Sequence, residues 1–409
     1  MSTLALSNLN LTASSKTNNT KPLTAKYVLK TDRFEQQNLQ PLSWTLRGKI
    51  QSDLANTLAA VKQVNIQGSI SNKAGLVVFH NAFYKPNSLY TDWEIPNSYF
   101  LAGNPFQKTF KDWPKLLTLG SGQFKAKGNS QLKLSLLNDK TNLLNALYTK
   151  AEVNILGVSG IYNETTLNQV DSQFDLNLKQ GILKINAHKL NALQVNHGLI
   201  VGPIKSSGSY EGAVNNLRQG KLKLTEFNTQ IFNGQAWLDK QTLDLNQPIN
   251  STFHLSKINL KTLLEQYPSA DIQGSGSING DLPFTVNLQK EPFFTLDKGA
   301  IKADSPGGLI QYQAASGLKK THQSMKLVFS VLEDFHYSVL DSNVTYDANK
   351  TLHLTLHLQG KNPNVENGRQ VNFNIQLEED LPALITTMQL SNQVSETIKN
   401  RIQDKLQQQ

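Results

Sequence analysis

Cysteine is absent from this chain of 409 residues, which excludes disulfide bonds, thiolate metal ligands and cysteine nucleophiles while leaving the cellular compartment open. Charged residues make up only 17% of the chain, so its polarity comes mainly from Asn, Gln, Ser and Thr. That balance is typical of strands that keep one face in water. The length allows two or three ordinary domains or one long repetitive domain, and the composition favours the repetitive one.

A long hydrophobic run is missing at the N-terminus. Residues 1–17, MSTLALSNLNLTASSKT, have no basic start followed by a continuous apolar stretch, so they predict neither a signal peptide nor a transmembrane helix. The leucines in this segment are nevertheless already patterned, at Leu4, Leu6, Leu9 and Leu11. We therefore expect the chain to start inside a repetitive architecture.

The net charge of +9 is dispersed along the chain and is not gathered into runs. A diffuse positive field attracts anionic membrane surfaces about as well as nucleic acid. The interleaving of aromatic and basic residues that marks RNA-binding surfaces is absent from the sequence. Nucleic acid is therefore not expected as a partner.

Short runs of alternating apolar and polar residues dominate the chain and are separated by turn residues at intervals of about ten, which is typical of an all-β fold. In FDLNLKQGILKINA (174–187), the apolar residues Phe174, Leu176 and Leu178 precede a Gln180-Gly181 turn, so the stretch predicts a hairpin. Similar runs occur at 63–79, 122–137, 220–238, 251–260 and 371–380. Most of the chain is therefore predicted to consist of hairpins.

Few helices are expected. The candidates are residues 54–62, residues 141–149, Leu260 to Gln266 and a tail that begins near Pro382. Within the tail, apolar residues recur every four positions at Val394, Ile398, Ile402 and Leu406. This amphipathic stripe fits a helix that covers the end of a sheet, or one that contacts a membrane or partner.

His353 and His357 in TLHLTLHLQG (351–360) have the spacing of a zinc site on a helix. However, leucines occupy every second position of this stretch, which predicts a strand, and a strand would separate the two histidines by roughly 13 Å. The eight histidines are otherwise dispersed. We therefore expect no metal and no cofactor.

Two further patterns have structural explanations. GSGSING (274–280) has Asn279 where a dinucleotide-binding fingerprint needs glycine, and the following DLPFTVNL (281–288) predicts a strand instead of the required helix. Glycines in crowded strands therefore explain the segment better. The acidic run Glu378, Glu379 and Asp380 stands where a strand should end and a helix begin, so helix capping accounts for it better than paired catalytic carboxylates. A GxSxG elbow is absent from the sequence. The chain is not expected to be an enzyme.

If successive strands place their apolar residues on one side, the sheet presents an extended apolar face that must be covered. Two arrangements satisfy this requirement. The sheet closes on itself as a sandwich or barrel core, or it curves into a trough that holds an apolar ligand.

The part of the chain from about residue 270 resembles a known family. The residues that carry the resemblance are INGDLPFTVNLQKEPFFTLDKGAIKADSPGGLIQYQ (278–313), and then QGKNP (359–363), GRQV (368–371) and LEEDLP (377–382). They resemble the C-terminal part of the YdbH-like family of AsmA-like bacterial envelope proteins. Gln370 stands where that family usually has proline.

The resemblance implies an elongated, curved antiparallel sheet, U-shaped in section, with a hydrophobic interior, a few short helices and a C-terminal helix. It implies a non-enzymatic conduit for phospholipids between the inner and outer membranes of a Gram-negative envelope. It also implies a periplasmic protein with an N-terminal inner-membrane anchor, and a small outer-membrane lipoprotein that extends the sheet at its C-terminal edge by strand addition. Because residues 1–17 predict no such anchor, we expect either that Met1 starts a fragment of a longer protein or that the anchor is encoded separately. Residues 1–120 would start this sheet, residues 121–380 would form the groove, and residues 381–409 would form a helical tail.

On this basis we predict which side chains line the groove. They are Leu352, Leu354, Leu356, Leu358, Val371, Phe373, Ile375 and Leu377 near the C-terminal end, and Phe174, Leu176, Leu178, Leu222 and Leu224 farther back. A second hypothesis is an envelope scaffold that assembles outer-membrane proteins through its sheet edge. A third is a polysaccharide-binding or polysaccharide-cleaving β-helix, against which the 8% aromatic content argues.

Overall fold

A computed structural model describes residues 5–7, 10–16, 23–52, 64–85, 87–101, 103–136, 143–267, 271–291, 293–313 and 325–390. These residues are mostly β-strand, and the strand pairs whose residue register is defined are antiparallel. The predicted all-β fold class, with few and short helices, is confirmed. The chain divides into two compact units, Met1–Ala192 with Ser207–Leu222, and Leu193–Ser206 with Lys223–Gln409. The divisions at residues 120 and 380 expected from the sequence stay predictions.

The first unit is a meander. Its strands are β1 (Ala5–Ser7), β2 (Asn10–Lys16), β3 (Leu23–Gln36), β4 (Leu39–Ser52), β5 (Val64–Asn72), β6 (Val77–Lys85), β7 (Ser88–Tyr99), β8 (Leu117–Lys133), β9 (Leu147–Tyr162) and β10 (Thr165–Lys179). Strands β1 and β2 both pair with β3, and from β3 to β10 each strand pairs with the next one in sequence. The predicted Gln180-Gly181 turn follows β10, and both of its residues have positive φ, as a two-residue hairpin turn requires.

Four strands follow near the boundary between the units. They are β11 (Ile182–Asn196), β12 (Ile200–Val201), β13 (Ile204–Ala213) and β14 (Lys221–Ile231).

The second unit continues with β15 (Gly234–Trp237), β16 (Gln241–Asp244), β17 (Ile249–Asn259), β18 (Ile272–Ser275), β19 (Ser277–Val286), β20 (Phe294–Ala303), β21 (Gly308–Tyr312), β22 (Phe335–Tyr346), β23 (Thr351–Lys361) and β24 (Val371–Asp380). Antiparallel pairing runs through β15, β17, β19, β20, β22, β23 and β24. Gly276, with φ +116°, separates β18 from β19, so the GSGSING segment lies in two strands, as expected from its sequence.

The helices are short: α1 (Pro105–Thr109), α2 (Leu143–Ala146), α3 (Leu260–Gln266), α4 (Lys326–Leu332) and α5 (381–390). The prediction for α3 is confirmed. That for residues 141–149 is confirmed only in part, because β9 begins at Leu147. The sequence did not predict α1 or α4. The expected helix at 54–62 and the apolar stripe of the tail beyond residue 390 lie outside the described residues.

The buried core of the second unit lies where two helices pack against the sheet. Leu260 of α3 and Val331 of α4 meet Leu340, Leu358 and Phe335, which is fully buried. The buried apolar residues of the first unit are mostly small, among them Ala82, Ala126, Ala151 and Val153. Within the described parts of the chain, no helix combines the length and the apolar character that crossing a membrane requires.

Candidate functional site: the apolar faces of the sheet

The eight predicted lining residues of β23 and β24 share one side of the sheet, the C-terminal apolar face. Leu354 stands opposite Leu377, Leu356 opposite Ile375, Leu358 opposite Phe373, and Gly360 opposite Val371. Directly opposed residues of antiparallel strands project to the same side, and Leu352 follows by alternation along β23. Period-two alternation in the sequence is thus matched by the register of the strands.

His353 and His357 lie on the other side of β23 and pair with carboxylates of the neighbouring strands or turn. His353 Nε2 is 3.3 Å from Asp347 Oδ2, and its Nδ1 is 3.5 Å from Glu378 Oε1. His357 Nδ1 is 3.8 Å from Asp341 Oδ2. The histidines therefore belong to the polar face, and the leucines between them belong to the apolar one.

The C-terminal apolar face has a covered end and an open end. Leu358 is only 2% exposed, because it lies in the core beneath α3 and α4, and Val371, Phe373 and Ile375 pack against that core. Leu352, Leu354 and Leu356 are half-buried, and Leu377 is 42% exposed. A ligand can therefore reach the open end, whereas Leu358 mainly stabilises the fold.

Aromatic rings extend this region across the second unit. Neighbouring ring centroids are 5.7 Å apart for Tyr346 and Phe294, 5.8 Å for Phe294 and Phe284, 4.8 Å for Phe284 and Phe253, and 6.3 Å for Phe253 and Phe227. Tyr346 stands opposite Leu352 of β23, so the aromatic ladder joins the leucine face. Sequence reasoning missed the ladder, because only the register shows that these rings are neighbours.

Three predicted lining residues of the first unit share a face. Phe174 stands opposite Val153, Leu176 opposite Ala151, and Leu178 opposite Thr149. All three side chains are half-buried.

Leu222 and Leu224 are half-buried in β14, between exposed Lys221, Lys223 and Thr225. Leu222 belongs to the first unit and Leu224 to the second. Their alternation with polar neighbours agrees with the predicted pattern.

At the centre of the first unit, one residue from each strand of β3 to β10 stands directly opposite a residue of the next strand. We name this set the glycine row; its members are Tyr27, Gly48, Gly68, His80, Trp93, Gly128, Ala151 and Leu176. All eight line a groove of about 1350 Å³. One predicted lining residue, Leu176, is thus brought into a groove whose other members the sequence did not indicate.

Two polar atoms of the glycine row are buried without a hydrogen-bond partner, the Tyr27 hydroxyl and His80 Nδ1. Burial raises the pKa of the Tyr27 phenol and lowers the pKa of the His80 ring, so both groups are neutral at neutral pH. Trp93, by contrast, donates from Nε1 to Ser130 Oγ at 3.0 Å. Alternation alone gave no signal for Tyr27 or His80. These two residues come together only because β3 pairs with β4, β4 with β5, and β5 with β6.

The structure is that of an all-β protein with apolar faces built from leucine, glycine and aromatic residues. The chain belongs to the YdbH-like family, whose model, described as intermembrane phospholipid transport protein YdbH, matches residues 2–403. No curated protein and no solved structure matches the chain. The resemblance first seen from about residue 270 therefore extends over nearly the whole chain, and the family's function is phospholipid transport between the membranes of the cell envelope.

Proposed function

We propose that this chain is a non-enzymatic hydrophobic conduit that carries phospholipids between the inner and outer membranes of a Gram-negative envelope, in the periplasm. The observation that carries the proposal is the cross-strand continuity of apolar residues from the aromatic ladder to Leu354, Leu356 and Leu377. Acyl chains lie against these residues, while the opposite face, with His353 and His357, stays in water.

The energetics support a conduit without specific contacts. Exposing an acyl chain to water costs roughly 0.8 kcal/mol per methylene, so a chain of about sixteen carbons meets a barrier above about 10 kcal/mol. A continuous apolar face removes most of that barrier. In this proposal Leu352, Leu354, Leu356 and Leu377 contact lipid at the open end, and Phe174, Leu176, Leu178, Leu222 and Leu224 contact it farther back.

The faces are tested by site-specific photo-crosslinking at neighbouring residues of β23. A photo-crosslinking amino acid at Leu354 should capture phospholipid, whereas the same group at Thr355, which points to the exposed polar face, should not. Capture at Thr355 without capture at Leu354 would overturn the assignment of faces. Consistent absence of phospholipid from the gently purified chain in native mass spectrometry would contradict the conduit itself.

The edge of β24 that faces away from β23 supports the proposal that a protein partner binds the second unit. Among the described residues, β24 pairs only with β23, so alternate residues of β24 direct backbone N–H and C=O groups away from the sheet. A small outer-membrane lipoprotein that adds a strand to this edge would use those groups. Attachment to the inner membrane through an N-terminal anchor completes the proposed arrangement.

The same edge favours a second candidate, an envelope scaffold that assembles outer-membrane proteins by strand addition. Replacing Leu354 by Asp puts a charge on the apolar face, and replacing Thr355 by Asp puts it on the polar face as a matched control. A conduit loses lipid transport in the Leu354→Asp variant alone. A scaffold keeps its function in both variants, provided that circular dichroism shows both to be folded.

A further inference from the structure

The floor of the groove in the first unit includes two facing residues that lack side chains. Gly48 and Gly68 are directly opposed. A Cβ on Gly68 would lie 2.1 Å from the carbonyl oxygen of Arg47, and one on Gly48 would lie 2.2 Å from that of Gln67. Both distances are far below contact, so only glycine fits here, and the two strands approach each other closely at this point.

Polar atoms without partners belong to the residues that flank this glycine pair. Tyr27 stands opposite Gly48 and is 8% exposed. Its hydroxyl lies 2.8 Å from the position that a Cβ of Gly48 would take, and it has no hydrogen-bond partner. On the other side His80 stands opposite Gly68, and its Nδ1 is also buried without a partner.

Such atoms destabilise a fold unless something pairs with them. Phenylalanine at either position would fill similar space without this cost. Two unpartnered polar atoms stand on either side of the glycine pair, in a groove whose lining on the same face includes Trp93, Ala151 and Leu176. They therefore point to a ligand that carries hydrogen-bond acceptors.

We propose that Tyr27, Gly48, Gly68 and His80 form a polar subsite that binds the glycerol ester region of a diacyl lipid. The inference rests on the proposed function, in which the apolar face holds acyl chains. The Tyr27 hydroxyl donates to one ester carbonyl oxygen, and the His80 ring, with its proton on Nδ1, donates to the other.

The chemistry of the groups selects an ester over a charged headgroup. Both side chains are neutral at neutral pH, since burial raises the pKa of Tyr27 and lowers that of His80. A neutral donor satisfies a neutral carbonyl, whereas a buried phosphate would require a cationic partner. Ester carbonyls also lie directly beside the acyl chains, where the apolar face would place them.

The test compares lipids that differ only in their ester carbonyls. The full chain is incubated with vesicles of diacyl and dialkyl ether phosphatidylglycerol in equal amounts, and the bound lipids are counted by native mass spectrometry. We expect the wild type to prefer the diacyl lipid by roughly twentyfold or more, the effect of about two net hydrogen bonds. Each of the variants Tyr27→Phe and His80→Phe should reduce the ratio to roughly fivefold, and the double variant should bring it close to one while still binding both lipids.

Tyr90→Phe is the matched control. It removes a hydroxyl that accepts a hydrogen bond from Gln131 on the opposite side of the sheet, and it should keep the wild-type preference. The lipid-free Tyr27→Phe variant should unfold at the same temperature as wild type or higher, because an unpaired hydroxyl is removed; a clear drop would show a structural role and overturn the proposal.

Equal binding of the two lipids by the wild type overturns the subsite and leaves the conduit standing. Binding of neither lipid overturns the conduit and the subsite together. A preference that is undiminished in both single variants, or that persists in the double variant, shows that other residues read the ester, which also overturns the proposal.

Discussion

Facing glycines decide how closely neighbouring strands approach in the first unit. Gly48 and Gly68 oppose each other without side chains, and Gly128 accommodates the ring of Trp93, which would lie 2.7 Å from an added Cβ. The aromatic rings of Tyr27 and Trp93 thus cover glycine backbone that would otherwise be left bare. Aromatic–glycine pairs of this kind stabilise the register of a sheet.

This crowding predicts a difference between two glycine-to-alanine changes. Gly48→Ala should destabilise the chain by about 1–3 kcal/mol, because the added methyl collides with backbone of β5 that cannot move aside easily. Gly120→Ala should change the stability by less than about 0.5 kcal/mol, because its nearest neighbour is Ser159 O at 4.0 Å. Urea unfolding followed by circular dichroism measures both, and equal effects would contradict the crowding.

Two histidines should titrate on opposite sides of the ordinary value of 6.5. Burial lowers the pKa of His80. For His254, partial burial opposes protonation, but hydrogen bonds with Asp281 at 2.6 Å and Asp239 at 3.2 Å outweigh it and raise the pKa.

The two shifts have opposite consequences for stability. The contribution of His254 is present below pH 6.5 and is lost as the pH rises through its folded-state pKa. The contribution of His80 is present above pH 6.5 and is lost as the pH falls through its folded-state pKa. Histidine NMR titration measures both values. Asp281→Asn should lower the pKa of His254, Asp175→Asn should not, and an unchanged value in Asp281→Asn would refute the assignment.

At the scale of secondary-structure elements, local patterns predicted most strands and one helix well. Alternation places TLHLTLHLQG in β23, and Leu260–Gln266 forms α3 as expected. The helix α4, KLVFSVL, was missed because a short continuous apolar run fits a buried strand and a buried helix equally. Helix α1 was missed because five residues are too few to show a period.

The sequence predicted the candidate site only where the face on which a residue lies follows from alternation within a single strand. Leu354 and Leu377 share a face because each strand alternates, so the sequence alone indicates their side. Tyr27 and His80 flank one glycine pair because of the pairing of four strands, which no local pattern encodes. The covering of Leu358 by α3 and α4 likewise depends on tertiary packing.

The cap of α3 gives a prediction for that packing. The Asn259 side chain accepts a hydrogen bond from the backbone N–H of Thr262 at 3.0 Å. Asn259→Ala should destabilise the second unit by about 1 kcal/mol through loss of this cap, whereas Asn259→Asp should retain the stability. Hydrogen exchange of the α3 amides measures the change, and equal protection in the two variants would show that the cap is unimportant.

At the scale of the whole molecule, the dispersed charge of +9 favours anionic membrane surfaces. Association with phosphatidylglycerol vesicles should weaken as the salt concentration rises from about 0.05 M to about 0.5 M, because screening shortens the range of surface charges. Vesicles of zwitterionic phosphatidylcholine serve as the control and should bind weakly at both concentrations. Binding independent of salt would show that apolar contacts govern the association. Vesicle co-sedimentation measures the bound fraction.

The meander from β3 to β10 also bears on how the chain folds. Each of these strands pairs with the next one in sequence, so every pairing closes a short loop and the contact order stays low for a β protein. A strand can add to the growing sheet as soon as it becomes available, without waiting for a distant partner. A chain delivered N-terminus first can therefore build its sheet in the order of its sequence, so that only the most recently added strand waits for its partner.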